Sequence, residues 1–309
     1  MPQARSETLN VDTTAYYHCM SRCVRRAFLC GQDPYTGRDF DYRKEWVETR
    51  LRDLTSIFAI DVYAYAVMSN HLHVVVKVDR ERSMAWSERE VIKRYGKLFR
   101  GAKALLHGLS PKRRGERIDA WRKRLWNLSW MMRSLNEWIA RRANREDECT
   151  GRFWEGRFRC QPLLDERAVV TCMAYVDLNP VRAGICKTPR QAEFTSAKRR
   201  LDEEFPAGLA PFEDQVKRPR RGVVPMKRDE YLELLAWTAR ALRSARVRGA
   251  PDALTTMDIR HDGWLETMSD EGLRTVCVLG STDALDEYAD ARGKRWVRGK
   301  GSATRLFES

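Results

Sequence analysis

Residues 65–76 hold the sequence feature that most restricts how this chain can fold. Apolar residues on both sides of Ser69-Asn70 predict two strands joined by a turn. His71 and His73 are two residues apart, so on a strand both imidazoles leave the same face. Imidazole nitrogens bind divalent metals, which makes the pair a candidate metal site. Taken alone, the His-x-His pattern also fits two ordinary histidines on a half-exposed strand.

A second informative stretch, residues 164–184, predicts a helix that ends close to Pro180. Asp165 is a plausible N-cap for it. Tyr175 and Asn179 are four residues apart, so they share one side of the helix and can face a neighbouring strand. The apolar stripe beside them recurs at helical spacing and consists of Val169, Cys172, Met173 and Val176.

Three motifs along the chain resemble those of REP-associated tyrosine transposases, which belong to the HUH class of single-tyrosine DNA transposases. They are MSNHLHV at 68–74, GRFWEGRF at 151–158 and AYVDLNPVRAG at 174–184, and they occur in the family's order. Residues 16–28 also resemble the family's first strand and the turn after it. The resemblance covers about residues 14–190, and three ordered motifs are far more specific than one.

The resemblance implies a fold, a site and an activity. The fold is α+β, a ferredoxin-like antiparallel sheet with flanking helices (the HUH nuclease fold). His71 and His73 would be metal ligands for Mg²⁺ or Mn²⁺, Asn179 would complete the metal site, and Tyr175 would be the nucleophile. The activity would be metal-dependent nicking and rejoining of single-stranded DNA at hairpin or palindromic repeats, through a 5′-phosphotyrosine and without a nucleotide cofactor.

The charge of the chain indicates a polyanionic partner. Lys and Arg number 57 against 43 Asp and Glu, which gives a net charge of +14. Such an excess favours nucleic acid, with an anionic membrane surface as the other candidate. No stretch approaches the ~18 apolar residues that a membrane span requires. The first residues carry no apolar leader, so we expect a cytoplasmic, nucleoid-associated protein.

Basic residues mixed with aromatic ones mark the predicted DNA contacts. In residues 79–128, cations would neutralise phosphates while aromatic rings stack on bases. The alternative is a helical insert whose aromatic side chains belong to the core. For each aromatic ring taken individually we favour the alternative, and for the basic face as a whole we favour DNA binding. The predicted DNA-binding residues are Arg22, Arg25, Arg26, Lys112, Arg113, Arg114, Arg152, Arg157, Arg159 and Arg182.

The composition divides the chain into three parts. Residues 1–190 would form the catalytic domain with the basic insert at about 79–128, 191–222 a basic linker, and 223–309 a small helical accessory domain. Within the last part, helices are predicted at 229–247, 270–279 and 282–291. The joint at Gly280-Ser281 would suit either a helix-turn-helix or plain helical packing.

Several alternatives remain open from the sequence. The chain could be a domesticated transposase that binds DNA hairpins without cutting, an RNA-binding ferredoxin-like module, or a replication initiator or relaxase with the same chemistry. A monomer and a homodimer are both possible. Cys19, Cys23 and Cys30 cluster without the usual zinc spacing, so buried or idle thiols are preferred to a structural zinc.

Overall fold

One antiparallel sheet organises the chain. The computed structural model describes residues 9–24, 30–31, 37–217, 222–244, 247, 249–269, 273 and 276–307. The strands are β1 (Tyr16–Arg22), β2 (Ile60–Val67), β3 (His71–Val78) and β4 (Arg159–Leu163), in the spatial order β2-β3-β1-β4. Every neighbouring pair is antiparallel. The chain thus runs strand, helix, strand, strand, helices, strand, and the predicted antiparallel sheet with flanking helices is confirmed.

Helices make up most of the rest of the described residues, where thirteen α-helices occur. They are α1 (Arg43–Thr55), α2 (Arg80–Met84), α3 (Glu88–Leu98), α4 (Pro111–Leu125), α5 (Leu128–Glu146), α6 (Glu166–Asp177), α7 (Asn179–Arg182), α8 (Ser196–Asp202), α9 (Arg228–Ala241), α10 (Asp252–Thr256), α11 (His261–Thr267), α12 (Thr282–Asp290) and α13 (Lys300–Leu306). Within that part of the chain, none has both the length and the apolar character needed to cross a membrane.

The predicted hairpin is β2 and β3, joined through residues 68–70. The Met68 amide donates to the His71 carbonyl at 2.8 Å and closes the turn. A register shift between Val62 and Ala64 inserts an extra residue into β2. This bulge keeps Ala64 and Ala66 on the face that carries His73, where their small side chains leave room for α6.

The two faces of the sheet bury two separate apolar cores. One face packs on α1 and α5, and its core also contains Cys19, Cys23 and Cys30. Burial raises the pKa of the Cys30 thiol, which favours a thiol over a metal-binding thiolate. The other face packs on α6 and continues into the helices after residue 223. That second face is the one that carries the histidines.

The basic insert is helical and contributes its aromatic rings to the core. It contains α2, α3 and α4, and the rings of Tyr95 and Trp121 stack at 4.5 Å between centroids. Both side chains are buried, at 5% and 3% exposure. These two rings therefore stabilise the insert and are not available to stack on bases.

The residues after 190 return to cover both outer strands. The predicted linker 191–222 contains α8, and bridges pair Ala66 with Thr195 and Val62 with Leu209 along β2. At the opposite edge of the sheet, Leu279 pairs with Leu163 of β4.

The prediction of a helix at 270–279 is wrong for residues 276–279, which are not helical and include Leu279 in an isolated bridge to β4. The Leu279 amide donates to the Pro162 carbonyl at 3.1 Å, and the Leu164 amide donates to the Leu279 carbonyl at 2.9 Å. Pairing with β4 therefore overrides the local pattern, and the β-branched Val276 and Val278 favour the extended form. Residues 270–272 and 274–275 lie outside the described residues.

Candidate active site

Three adjacent strands place polar side chains on the sheet face that packs on α6. Arg22 on β1 lies opposite His71 on β3. His18 lies opposite Gln161 on β4. Directly opposed residues of neighbouring strands share a face, and so do residues two apart on one strand. His18, His71, His73 and Gln161 therefore project from one side of the sheet.

Hydrogen bonds connect three of these side chains in a line. Gln161 Nε2 donates to the Val276 carbonyl at 2.9 Å, so its Oε1 faces His18 Nδ1, at 3.0 Å. A carboxamide oxygen only accepts, so His18 Nδ1 carries the proton and its Nε2 is the acceptor. His18 Nε2 lies 2.8 Å from His73 Nδ1, which must then donate. This geometry leaves His73 Nε2 as the nitrogen with a lone pair.

The surroundings of His18 and His73 keep both imidazole rings neutral. The pKa of His18 is lowered to about 4, chiefly by burial; the hydrogen bond to Gln161 opposes this shift and the Arg182 guanidinium adds to it. Burial also lowers the pKa of His73 well below its ordinary value, with contributions from His18, His71, Arg182 and Arg22. A neutral imidazole has the lone pair that a metal needs.

The two predicted histidine ligands fit one metal ion. The ring centroids of His71 and His73 lie 4.9 Å apart. This is close enough for both rings to bind one ion, since a metal–imidazole bond is about 2.1 Å long. His71 Nδ1 lies 2.6 Å from Asn70 Oδ1, so both rings are held through Nδ1, as metal-binding histidines usually are. Within the described residues, no three His, Cys, Asp or Glu side chains form a metal-binding group, so further ligands would include the Asn179 amide, water or substrate oxygens.

The helix after β4 brings Tyr175 to the histidines. α6 begins as predicted at Asp165, whose side chain accepts from the Ala168 amide at 2.8 Å. The Tyr175 ring centroid lies 6.5 Å from that of His73 and equally far from that of His18. Tyr175 is only 4% exposed.

A second, short helix completes this side of the site. Pro180 lies in the first turn of α7, where its missing N–H needs no partner, so the chain continues helically after a break at Leu178. Arg182 consequently lies over the Tyr175 ring, with its guanidinium carbon 3.6 Å from the ring centroid. Its Nη1 donates to the Ser269 carbonyl at 3.0 Å, while its buried Nε has no hydrogen-bond partner in the described part of the chain.

Asp177, in the same motif as Tyr175, is structural. Its carboxylate is fully buried and accepts from the Ser196 hydroxyl, the Ala197 amide and the Tyr231 hydroxyl. These bonds tie the end of α6 to α8 and α9 and so fix the position of Tyr175.

The four predicted site residues line one cleft of about 1170 Å³. His71 and His73 lie on the sheet side, and Tyr175 and Asn179 on the helix side. Residues from the C-terminal part of the chain form the remaining wall. The described lining contains no Asp or Glu and seven cationic side chains, which are Arg22, Arg157, Arg159, Arg182, Arg292, Lys294 and Arg298.

The predicted DNA-binding residues divide into three groups. Arg22, Arg157, Arg159 and Arg182 line the cleft. Arg152 is exposed beyond its lining, and so are Lys112, Arg113 and Arg114 in the first turn of α4. Arg25 and Arg26 lie outside the described residues.

Sequence reasoning missed His18, Gln161 and the C-terminal wall of the cleft. The signal for His18 was its place on the first strand, since β1 pairs with β3 in this topology and alternation then puts it beside His73. No local signal identifies Gln161 or Val276, because their contact joins residues 115 positions apart.

The comparisons with known proteins give a structural match and no match at the level of a family. No protein-family model and no curated protein matches the chain. Among solved structures, a REP-associated tyrosine transposase bound to a REP hairpin matches 72% of this chain and 97% of its own, at 12% identity and a TM-score of 0.39.

Proposed function

We propose that this protein is a metal-dependent transposase of the HUH class that nicks and rejoins single-stranded DNA beside a hairpin. One observation carries the proposal: Tyr175, Asn179, His71 and His73 line one cleft that is rich in cations and contains no carboxylate among its described lining residues. A phenol, two imidazoles and a concentration of guanidinium groups suit a phosphodiester substrate.

The proposed reaction is a transesterification at phosphorus. The Tyr175 oxygen forms a bond to the phosphorus and loses its proton, while the bond to the 3′-oxygen breaks. The 3′-oxygen takes up a proton and leaves as a hydroxyl, and the 5′ side stays on the enzyme as a phosphotyrosine. A later attack by a 3′-hydroxyl reverses these steps and reseals a strand. One phosphodiester replaces another, so no nucleotide cofactor is required.

The side chains around Tyr175 would hold the phosphate for this attack. His71, His73 and Asn179 would hold one Mg²⁺ or Mn²⁺, which when bound would neutralise charge on the nonbridging oxygens. Arg182, stacked on the Tyr175 ring with an unpartnered buried Nε, would donate to a phosphate oxygen. Arg157 and Arg159 would contact phosphates further along the strand.

The chain offers a matched control for the nucleophile. Tyr288 also lines the cleft and is 5% exposed, about as much as Tyr175. Tyr175→Phe should abolish a covalent adduct with a hairpin oligonucleotide on a denaturing gel while hairpin binding persists. Tyr288→Phe should retain the adduct. Loss of the adduct in Tyr288→Phe with its retention in Tyr175→Phe would reverse the assignment.

One observation favours a second candidate, a hairpin-binding protein that no longer cuts. Tyr175 is nearly inaccessible, and Arg182 covers its ring. Attack on a phosphate would require more of the Tyr175 side chain to become accessible. Absence of any adduct with the unchanged protein, under conditions where it binds the hairpin and Mg²⁺ or Mn²⁺ is present, would support the binding protein over the transposase.

A further inference from the structure

The C-terminal wall of the cleft has the features of a surface that binds single-stranded nucleic acid. Six of residues 288–298 line the cleft, and they are Tyr288, Arg292, Lys294, Trp296, Val297 and Arg298. Trp296 is 70% exposed, the most exposed large hydrophobic side chain in the described residues. Neither the catalytic proposal nor the family motifs account for this segment.

The segment is held rigidly at both ends. Behind α12 the chain turns at Gly293, whose φ is +60°, and the Lys294 amide donates to the Ala289 carbonyl at 3.0 Å. At the far end Gly299 has a φ of +146°, and a side chain there would come within 2.6 Å of the Val278 carbonyl oxygen. Only glycine fits such a close approach, so the end of the segment lies directly against the Val278 backbone, next to Leu279, which pairs with β4.

Charge favours a nucleic acid as the occupant. Arg298 faces the same cleft as Arg157 and Arg159, and none of the three has a carboxylate partner within the described residues. The cleft volume of about 1170 Å³ exceeds the range of about 300–1000 Å³ that holds single small ligands. Cations along a groove with an exposed aromatic ring are the combination that binds unpaired nucleotides.

The exposed indole selects single strands over duplex. A base inside a stem is stacked on its neighbours and cannot lie on Trp296, whereas an unpaired base presents a free face. We propose that Trp296 and Arg298 of this segment bind the single-stranded DNA next to the scissile phosphate, with Trp296 stacked on a base and Arg298 on a phosphate. This inference rests on the proposed function, because it takes the strand at Tyr175 to be the occupant.

The test measures binding of two oligonucleotides to the full chain at one salt concentration. One is a hairpin with a single-stranded extension that includes the cleavage site, and the other is the blunt stem-loop alone. Trp296→Ala should weaken binding of the extended hairpin about 10-fold, the effect of losing one stacked base, and leave the blunt hairpin unchanged. Trp296→Phe should recover part of the loss.

Matched controls separate this surface from general effects. Phe205→Ala removes an exposed ring (63% exposed) that is not part of the cleft lining and should not change either affinity. Arg298→Ala should weaken the extended hairpin and lower its salt dependence by about one phosphate contact. Arg295 carries an equal charge three residues away and does not line the cleft. Arg295→Ala should therefore change the affinity for the extended hairpin, and its salt dependence, less than Arg298→Ala does.

The outcomes distinguish this inference from the proposed function. Unchanged binding of the extended hairpin in Trp296→Ala, with the Tyr175 adduct still formed, overturns the inference alone. If Trp296→Ala loses affinity equally for both oligonucleotides, the inference is overturned too, because the segment would then contact the stem. An RNA strand of the same sequence that competes as well as DNA overturns the choice of DNA. No binding of either hairpin by the unchanged protein overturns both proposals.

Discussion

His73 Nδ1 lies 2.8 Å from His18 Nε2, so the ring that offers a predicted ligand nitrogen is fixed by another histidine. Metal-binding histidines more often donate to a carboxylate, a backbone carbonyl or water. A neutral partner keeps the cleft free of negative charge, which suits a phosphate substrate. The orientation of His18 depends in turn on Gln161 and on the Val276 carbonyl.

This line of hydrogen bonds predicts non-additive stabilities. His18→Leu leaves the His73 donor and the Gln161 acceptor buried without partners, and should lower the free energy of unfolding by about 1–3 kcal/mol. Gln161→Leu should cost a similar amount alone and distinctly less in the His18→Leu background. Urea unfolding of the four proteins measures the coupling, and additive losses would contradict the tautomer assignment.

The low pKa of His18 predicts acid sensitivity of the metal-free protein. Its pKa falls from an ordinary 6.5 to about 4 on folding because the ring is buried. Above pH ~6.5 the ring is neutral in both states and its contribution is fully present. As the pH falls from ~6.5 towards ~4, only the unfolded chain takes up the proton, so the folded state loses up to about 3 kcal/mol. Unfolding in EDTA across this range should show a smaller pH slope for His18→Leu than for the unchanged protein.

Chelation tests the role of the two candidate ligands. Nicking should stop in EDTA and return with added Mg²⁺ or Mn²⁺. His71→Ala and His73→Ala should lose this metal-dependent activity while hairpin affinity in EDTA stays within a few-fold of the unchanged protein. Mn²⁺ binding, followed by its paramagnetic resonance signal, gives a readout that does not depend on activity. Nicking that proceeds equally well in EDTA would remove the metal from the mechanism.

The two exposed basic regions can be compared by the salt dependence of DNA binding. Arg159 lines the cleft, whereas Arg113 lies on the first turn of α4, outside its lining. Arg159→Ala should lower the slope of log affinity against log salt by about one phosphate contact. Arg113→Ala tests whether DNA extends to the insert, and we expect a similar fall if the stem reaches α4. An unchanged slope for Arg113→Ala would confine the DNA to the cleft.

The buried carboxylate at the end of α6 should matter for stability more than any surface pair. Asp177→Ala leaves the buried Arg200 without its nearby negative charge and removes three accepted hydrogen bonds. Loss of such a buried partner costs about 3–5 kcal/mol. Asp202→Ala, which breaks an exposed pair with Lys198, should cost less than about 1 kcal/mol. Thermal unfolding of the two variants compares them directly.

Local pattern was sufficient for the elements that carry the predicted site. Two apolar runs separated by Ser69-Asn70 predicted the hairpin, and an N-cap followed by a helical stripe predicted α6. Both are short-range signals, since the turn and the cap each depend on residues within four positions.

The parts of the site that depend on distant residues could not be predicted. His18 reaches His73 across 55 positions, and Gln161 reaches Val276 across 115. Residues 276–279 were predicted as helix because their neighbours along the chain favour one, whereas a strand edge more than 100 residues earlier decides their form. The pattern of residues within a single stretch does not show which strand that stretch will pair with.

The covered borders of the sheet limit how two copies of this protein could associate. Thr195 and Leu209 occupy part of the outside of β2, and Leu279 does the same for β4. Unpaired peptide groups on an outer strand are the usual template for joining two sheets into one, or for fibrous self-association. Here the chain itself occupies part of both edges, which disfavours joining two sheets edge to edge and favours helical surfaces for any homodimer.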